Sequence, residues 1–378
     1  MARKLTVKLR GEDRSLCTPA VLLPTCSGVV PFLTDELLAE LCAKDVAEGS
    51  VVGAYVPYSE LLESTKIMKK LGTCFRDFAN VPDNLCMVVG CRSKSEATNA
   101  NITKKNSAEA MSFKTHHGRV KVTPKEYCSD AADMVKPDIL LQFAEETSSK
   151  NQNRLRKTSE RAISWLKTCA AHDLGDANLV AALVGGVNER LREDHVNASV
   201  EIARQSAAGY AICELGIREN ETASERLEIV QKSIAQLESI GEGDKIRLVS
   251  AGCLNLSELL ELAAKGVDVL STSYPLELTQ SGKALVLPAP RQGNESKRRR
   301  VGDGDTVMDM NDKSYAHDHA PMVKGCECFA CKTHTRAYIY HLIDAKEMLG
   351  QTLLFIHNAH CMLSAFRHMR SGIAQPRI

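Results

Sequence analysis

The fold is decided by residues 244–275, "DKIRLVSAGCLNLSELLELAAKGVDVLSTSYP", which carry a strand pattern, a helix pattern and a second strand pattern. The apolar run "IRLVSAG" predicts a buried strand, and Asn255 or Ser257 can cap the helix that follows. One face of that helix is formed by Leu256, Leu259, Leu260 and Ala263. Gly266 is expected to end the helix, and "VDVLSTS" is the next strand. The stretch therefore predicts one strand–helix–strand unit.

The same alternation recurs elsewhere in the chain. Residues 178–216 give a strand, a Gly-Gly turn, an amphipathic helix and a strand. Residues 122–146 give a helix and then a strand, with Thr123 as the N-cap and Pro124 at the first helical position. Alternating units of this kind imply a parallel sheet with right-handed crossovers. With 378 residues, we predict an α/β fold, a closed (β/α)8 TIM barrel rather than an open sheet, although periodicity alone leaves closure undecided.

Composition excludes several classes of protein. Aromatic residues make up 4% of the chain, which argues against a sheet that stacks nucleic-acid bases. The formal net charge is +1, so any nucleic-acid contact must come from local patches. The charged stretch "MARKLTVKLRGEDRSL" lacks the apolar centre of a signal peptide, and no run approaches the ~20 apolar residues of a membrane span. We therefore expect no integral membrane segment.

The 14 cysteines point to a reducing compartment, where they serve as thiols or metal ligands. Four of them lie in apolar contexts and are predicted to be small buried hydrophobic residues: Cys42, Cys169, Cys213 and Cys253.

A cluster of cysteines near the C-terminus has the spacing of a metal site. Cys326, Cys328 and Cys331 form C-x-C-x2-C, whose thiolates can converge on one tetrahedral cation, and sulfur ligands favour zinc. The fourth ligand stays open among four histidines: His334, His341, His357 and His360. The alternative is an accidental cysteine-rich turn. No H-E-x-x-H or deaminase pattern accompanies the cluster, so we predict a closed, structural zinc site.

The sequence changes from apolar and periodic to polar after "ALVLPAP", and this change divides the chain into three regions. Residues 1–290 are predicted to form the barrel. Residues 291–320 are polar, rich in Gly and Asp and without apolar periodicity, and are predicted to be a flexible insertion. A basic run there, residues 297–300, could be a nuclear-import signal or a phosphate-binding arm, but a solvated charge run is favoured. Residues 321–378 are predicted to be a zinc-binding subdomain with a terminal helix.

At the cysteine cluster the chain resembles the tRNA-guanine transglycosylase (queuine tRNA-ribosyltransferase) family. That family closes its zinc site with C-x-C-x2-C-x25-H, which selects His357 here. The resemblance extends to "CTPAVLLPTCSGVVPFLTDELLAEL", "SFKTHHGRVKVTPKEYCSD", "ALVGGVNERLRED" and the stretch quoted first. It implies a (β/α)8 barrel with a zinc subdomain inserted near the C-terminal end. It also implies exchange of guanine for queuine at the tRNA wobble position, by an aspartate that attacks the ribose.

The chain departs from that family at the positions that carry the chemistry. Ser271 stands where the family has its nucleophilic aspartate, and Leu276-Glu277 replace Thr-Arg after it. The string D-S-G-G-F-Q, with the second aspartate, is missing from the sequence. The base-recognition F-D-E reads Phe143-Ala144-Glu145, and the glutamine before Gly-Gly is Val184. The resemblance is thus closest to the non-catalytic accessory subunit of the family's eukaryotic heterodimer.

That resemblance implies a catalytic partner subunit, tRNA as a ligand and one structural Zn2+ per subunit. It also implies a cytoplasmic protein with peripheral association at the mitochondrial outer membrane through a partner. Lys332 and Arg336 flank the cysteine cluster and are candidate tRNA contacts. Two alternatives remain at this point. The chain is an active transglycosylase whose nucleophile has moved to Asp268, Glu145 or Glu277, or it is a tRNA-binding scaffold outside the pathway.

Overall fold

A closed barrel of eight parallel strands forms the core of the protein. The computed structural model describes residues 2–11, 14–93, 106–218, 220–287 and 307–373. In chain order the strands are β1 (Thr6–Lys8), β2 (Ser15–Cys17), β3 (Ala20–Pro24), β4 (Val52–Pro57), β5 (Leu85–Gly90), β6 (Met111–Thr115), β7 (Gly118–Val122), β8 (Ile139–Leu141), β9 (Asn178–Leu183), β10 (Gly209–Leu215), β11 (Ile246–Ala251), β12 (Val269–Ser271), β13 (Lys283–Leu285) and β14 (Val307–Asp309).

The helices follow the barrel strands, as the alternating pattern predicts. They are α1 (Asp35–Ala47), α2 (Tyr58–Leu71), α3 (Phe75–Phe78), α4 (Pro124–Asp130), α5 (Gln152–Ala171), α6 (Glu189–Ala203), α7 (Ala223–Ser239), α8 (Leu256–Ala264), α9 (Tyr274–Gln280), α10 (Phe329–Thr333), α11 (Arg336–Asp344) and α12 (Met348–Gly372). A π-helical turn, Ala131–Val135, extends α4, and Lys313–His317 form a 3-10 turn.

The barrel is closed by pairing between its last and first strands. Its order is β3-β4-β5-β8-β9-β10-β11-β12, and β12 then pairs in parallel with β3, with Val269 opposite Ala20 and Ser271 opposite Leu22. The predicted TIM barrel is therefore confirmed. Two antiparallel hairpins, β1–β2 and β6–β7, lie outside it.

The stretch quoted first forms β11, α8 and β12. Asn255 is the N-cap of α8, since its Oδ1 accepts a hydrogen bond from the Glu258 N–H at 2.9 Å. The Glu258 carboxylate accepts in return from the Asn255 N–H, which completes a capping box. Leu259 and Ala263 are fully buried against the barrel. The predicted unit is confirmed, with Asn255 rather than Ser257 as the cap.

The C-terminal helix α12 completes the outer layer of the barrel. It packs against α1, α8 and strand β3, and Phe355 and Phe366 are fully buried in the core it shares with them. Its N-terminal half also packs against α10, α11 and β13. The terminal helix that we predicted as part of the zinc subdomain therefore belongs to the barrel as well.

Residues 307–320 differ from the flexible insertion predicted for 291–320. Strand β14 pairs antiparallel with β13, and Met310 beyond it is fully buried. A three-residue strand is too short to produce a recognisable apolar period, so the sequence pattern missed it. Residues 291–306, including the basic run 297–300, lie outside the described residues. We call β13, β14 and residues 310–347 the appendage.

The cysteine predictions hold in three positions and fail in one. Cys42, Cys169 and Cys213 are buried, as predicted. Cys253 is exposed, because it lies in the turn between β11 and α8 and not in an element that faces the core. None of the helices in the described ranges is long and apolar enough to cross a membrane.

Candidate functional sites

The cysteine cluster lies where the appendage meets helix α12. Cys326 and Cys328 precede the short helix α10, and Cys331 lies within it. The Cys328 thiol caps this helix, since its Sγ accepts a hydrogen bond from the Cys331 N–H at 3.3 Å. This turn directs three sulfur atoms to the same side, and His357 on α12 meets them there.

The four side chains have the geometry of a tetrahedral metal site. Their ligand atoms all lie within 4.8 Å of one another. The His357 Nδ1 atom lies 3.7, 3.5 and 3.3 Å from the Sγ atoms of Cys326, Cys328 and Cys331. A tetrahedral zinc with bonds of about 2.3 Å to sulfur and about 2.0 Å to nitrogen separates such atoms by about 3.5 Å. The donor set and its spacing therefore fit a metal ion, and the four protein ligands would leave no position for water.

The other nitrogen of His357 fixes the orientation of the ring. Nε2 donates to the backbone oxygen of Leu285 at 2.8 Å, which leaves Nδ1 as the ligand atom. The next residue, Asn358, clamps the same strand, because its Oδ1 accepts from the Leu285 N–H at 2.8 Å and its Nδ2 donates to the Lys283 oxygen at 2.9 Å. His334, an alternative ligand from the sequence, instead stacks on Tyr338 with ring centroids 5.3 Å apart. Sequence reasoning missed the role of Asn358.

The second candidate site is the barrel mouth, the C-terminal ends of the barrel strands, where enzymes of this fold place their catalytic groups. Ser271 is the last residue of β12 and is 2% exposed. Its Oγ accepts from the Ala251 N–H at 3.3 Å and lies 3.5 Å from the Val249 oxygen. The hydroxyl thus bonds to the backbone of the neighbouring strand. It has neither the charge nor the exposure of a nucleophile.

A buried glutamate lies at the mouth. Glu214, at the end of β10, accepts hydrogen bonds from the N–H groups of Gly185 at 2.7 Å, Gly186 at 2.6 Å and Thr147 at 3.1 Å. A side chain at Gly185 would collide with Arg192, whose Cγ lies 2.7 Å from the position of an added Cβ. Burial raises the pKa of the Glu214 carboxyl, while Arg192 and the N–H groups oppose that rise. The Gly-Gly turn therefore binds the protein's own carboxylate.

The three carboxylates proposed as displaced nucleophiles are also accounted for. Glu145 is fully buried and paired with Arg154, at 2.9 Å, and with Arg161. Asp268 lies before β12, at the opposite end of the barrel from the mouth, where it pairs with Arg3 at 2.6 Å. Glu277 is exposed on α9 and accepts a hydrogen bond from Ser273. Glu145 and Asp268 are thus held in ion pairs away from solvent, and a buried pair of this kind does not attack a bound substrate.

Restoring the missing carboxylate alone should not restore catalysis. Ser271→Asp would bury a charge where the available partners are backbone atoms, and we expect the free energy of unfolding to fall by about 3–5 kcal/mol. We also expect no incorporation of labelled guanine into tRNA by this variant alone. Ser271→Ala is the control, with an expected loss of about 1 kcal/mol. Urea unfolding and a guanine-exchange assay measure both effects, and exchange by Ser271→Asp would contradict this description of the mouth.

The two candidate tRNA contacts have different environments. Lys332 is exposed beside the cysteine turn. The Arg336 guanidinium instead donates to Asp318 at 2.8 Å and to the Met322 oxygen at 3.0 Å, and it lies 5.8 Å from the Tyr315 ring. Arg336 therefore ties the start of helix α11 to residues 315–322 of the appendage.

Comparison with known proteins agrees with these features. Residues 2–378 match the family described as queuine tRNA-ribosyltransferase. A protein of Anopheles gambiae named queuine tRNA-ribosyltransferase accessory subunit 2 is 30% identical, over 97% of this chain and 83% of its own length. Proteins with the same name from Xenopus tropicalis and Pongo abelii are 26% and 25% identical, over 98% and 97% of this chain and 92% and 91% of theirs. Together with the barrel and the Cys3His cluster, these matches show that the chain belongs to the queuine tRNA-ribosyltransferase family.

Proposed function

We propose that this chain is the non-catalytic accessory subunit of a heterodimeric queuine tRNA-ribosyltransferase. In this role it supports the exchange of guanine for queuine at wobble position 34, which its catalytic partner performs. The observation that carries the proposal is the set of contacts made by the polar side chains at the barrel mouth. Ser271 bonds to backbone where the family has its nucleophile, and Glu145 and Glu214 are buried in contacts with the protein's own donors. Relatives across the full length of the chain carry the accessory-subunit name.

We further propose that the cysteine cluster holds one structural Zn2+ per subunit. Its ligands would be Cys326, Cys328, Cys331 and His357. Three thiolates and one imidazole form a donor set that zinc prefers, and the hydrogen bond from His357 Nε2 to the Leu285 oxygen supports the assignment. Bound there, the ion would join the α10 turn to helix α12. It would therefore stabilise the appendage without taking part in chemistry.

The appendage is the surface that we propose for the catalytic partner. Helix α11 and the start of α12 expose three large apolar side chains: Tyr338 at 41%, Met348 at 76% and Leu349 at 42%. Exposed apolar residues of this size are typical of a protein interface. Lys332 on the same appendage is proposed as a tRNA contact, rather than Arg336. We place the complex in the cytoplasm, with any association at the mitochondrial outer membrane supplied by a partner.

Cells that lack this chain test the proposed role. We expect queuosine in tRNA to fall to background when the gene is deleted, and to return when the wild-type chain is expressed again. The measurement is mass spectrometry of nucleosides from total tRNA, in cells supplied with queuine. The unaltered level of the catalytic subunit, checked by immunoblot, is the control. Normal queuosine in the deleted cells would place the chain outside the pathway and contradict the proposal.

A further inference from the structure

The hairpin β6–β7 carries a face of positive charge. Residues 111–122, "MSFKTHHGRVKV", contain three Lys or Arg, two His and no acidic residue. Lys114 lies directly opposite Arg119 in the ladder, and Lys121 lies opposite Ser112. Opposed residues, and residues two apart along a strand, share one face of a sheet. Lys114, Arg119 and Lys121 therefore point to the same side, and all three are exposed. We call these three residues the basic face.

The opposite side of the hairpin is apolar and packs beside the C-terminal ends of the barrel strands. Met111, Phe113 and Val122 are buried. The Phe113 ring lies 6.0 Å from the ring of Tyr58, the residue that follows β4, and 6.4 Å from that of Phe143, just beyond β8. Since Tyr58 and Phe143 both lie at the C-terminal ends of barrel strands, the hairpin packs at the rim of the mouth.

Arg92 attaches the hairpin to the end of a third strand. It lies two residues beyond β5, its guanidinium stands 4.9 Å from the centre of the Phe113 ring, and it donates a hydrogen bond to the Ser112 oxygen. These contacts hold the start of the hairpin against the mouth. The basic face is thus presented to solvent from a fixed position.

Stability of the sheet does not explain this arrangement of charge. Like charges that lie directly opposite each other, such as Lys114 and Arg119, destabilise a two-stranded ladder. Lysines protect exposed sheet edges from pairing, but that role does not require two cations opposite each other. The acidic Glu63 accepts a hydrogen bond from the His116 N–H in the turn at 3.1 Å, beside the basic face. A polyanion that approached this exposed face would meet three cations.

We propose that the basic face of the β6–β7 hairpin binds the phosphate backbone of tRNA. This inference rests on the proposed function, which brings tRNA to the heterodimer. Three cations that follow one face of a hairpin suit consecutive phosphates, and residues 111–122 expose no Phe, Tyr or Trp side chain to stack on bases. The contact would therefore be independent of base sequence. It would orient the tRNA and would not select it.

Neutralising the basic face tests the proposal. The variant Lys114→Gln/Arg119→Gln/Lys121→Gln is prepared as the heterodimer with the wild-type catalytic subunit. The matched control is Lys4→Gln/Lys8→Gln/Lys265→Gln, which removes the same charge from exposed residues on the far side of the barrel, near β1 and the end of α8. Binding of fluorescent, unmodified tRNA is measured by anisotropy between 50 and 200 mM KCl. Thermal unfolding and sedimentation confirm that each variant is folded and paired.

We expect the hairpin variant to bind tRNA about tenfold or more weakly, equally for tRNAs of different sequence. The plot of the logarithm of the association constant against the logarithm of the salt concentration has a negative slope. The magnitude of this slope should decrease by about 2 to 3, since each phosphate contact contributes about 0.7–0.9. The control variant should match the wild type. Equal tRNA binding by hairpin and control variants would overturn the inference, as would loss of pairing with the catalytic subunit at unchanged tRNA affinity. Failure of the wild-type heterodimer to bind tRNA would instead contradict the proposed function itself.

Discussion

Cys328→Ser should release the metal and unfold the appendage. The Cys328 thiol is one of four ligand atoms within 4.8 Å of one another, and it also caps helix α10. Structural zinc sites in small peptides contribute about 10–16 kcal/mol to folding, which is comparable to the total stability of a domain. We therefore expect bound zinc to fall from one per chain to near zero, with a second, earlier transition in thermal unfolding. Heterodimer formation should be lost with it.

The control for this variant lies in the same site. Cys361 is buried one helical turn after His357, where its thiol contacts His357 Nε2 at 3.6 Å and the Cys326 thiol, but it is not among the four residues whose ligand atoms all lie within 4.8 Å of one another. Cys361→Ser should therefore keep one zinc per chain. The metal content is measured by atomic emission on dialysed protein, and pairing by sedimentation. Full metal and full pairing in Cys328→Ser would show that the four-ligand assignment is wrong.

Asp45→Asn should be among the most damaging single changes outside the cysteine cluster. Asp45, near the end of α1, is 2% exposed and bridges two arginines of α12, Arg367 at 2.6 Å and Arg370 at 2.5 Å. Removing its charge leaves the nearly buried Arg367 guanidinium without its Asp45 counter-ion and Arg370 with the more exposed Glu48, at 3.6 Å, which costs about 3–5 kcal/mol. Because α12 completes the barrel, we expect the whole domain to unfold at lower urea concentration.

A matched surface change separates this effect from a general loss of charge. Asp194→Asn alters an exposed residue on α6 and should change the free energy of unfolding by less than about 0.5 kcal/mol. Zinc content should stay at one per chain in both variants at 25 °C, since neither touches a ligand. Urea unfolding followed by circular dichroism measures the difference. Equal stability of the two variants would mean that the ion pair between α1 and α12 contributes little.

Local patterns predicted the elements of this fold but not its long-range contacts. The 244–275 stretch predicted its strands, its helix and its cap, because these depend on neighbours in sequence. Barrel closure depends on the pairing of β12 with β3, which lie about 250 residues apart, so periodicity alone left it open. The Asp45 bridge to α12 was missed for the same reason.

The candidate sites were predictable to different extents. Three cysteines within six residues predicted a metal site locally, but His357 lies on a distant helix, and only the family spacing singled it out. Ser271, which the family resemblance sets at the nucleophile position, is an uncharged residue whose hydroxyl bonds to the backbone of β11. What the sequence could not provide was the environment of the mouth. The Gly185-Gly186 turn binds Glu214, and the hairpin packs at the rim of the mouth through Phe113.

The central claim is that this chain supports base exchange without performing it. A labelled-guanine exchange assay on unmodified tRNA tests this directly, with the chain alone, the catalytic subunit alone and an equimolar mixture. We predict incorporation at background for this chain, little for the isolated catalytic subunit and full exchange for the mixture. A covalent adduct between tRNA and the purified chain, or exchange by the chain without its partner, would contradict the account.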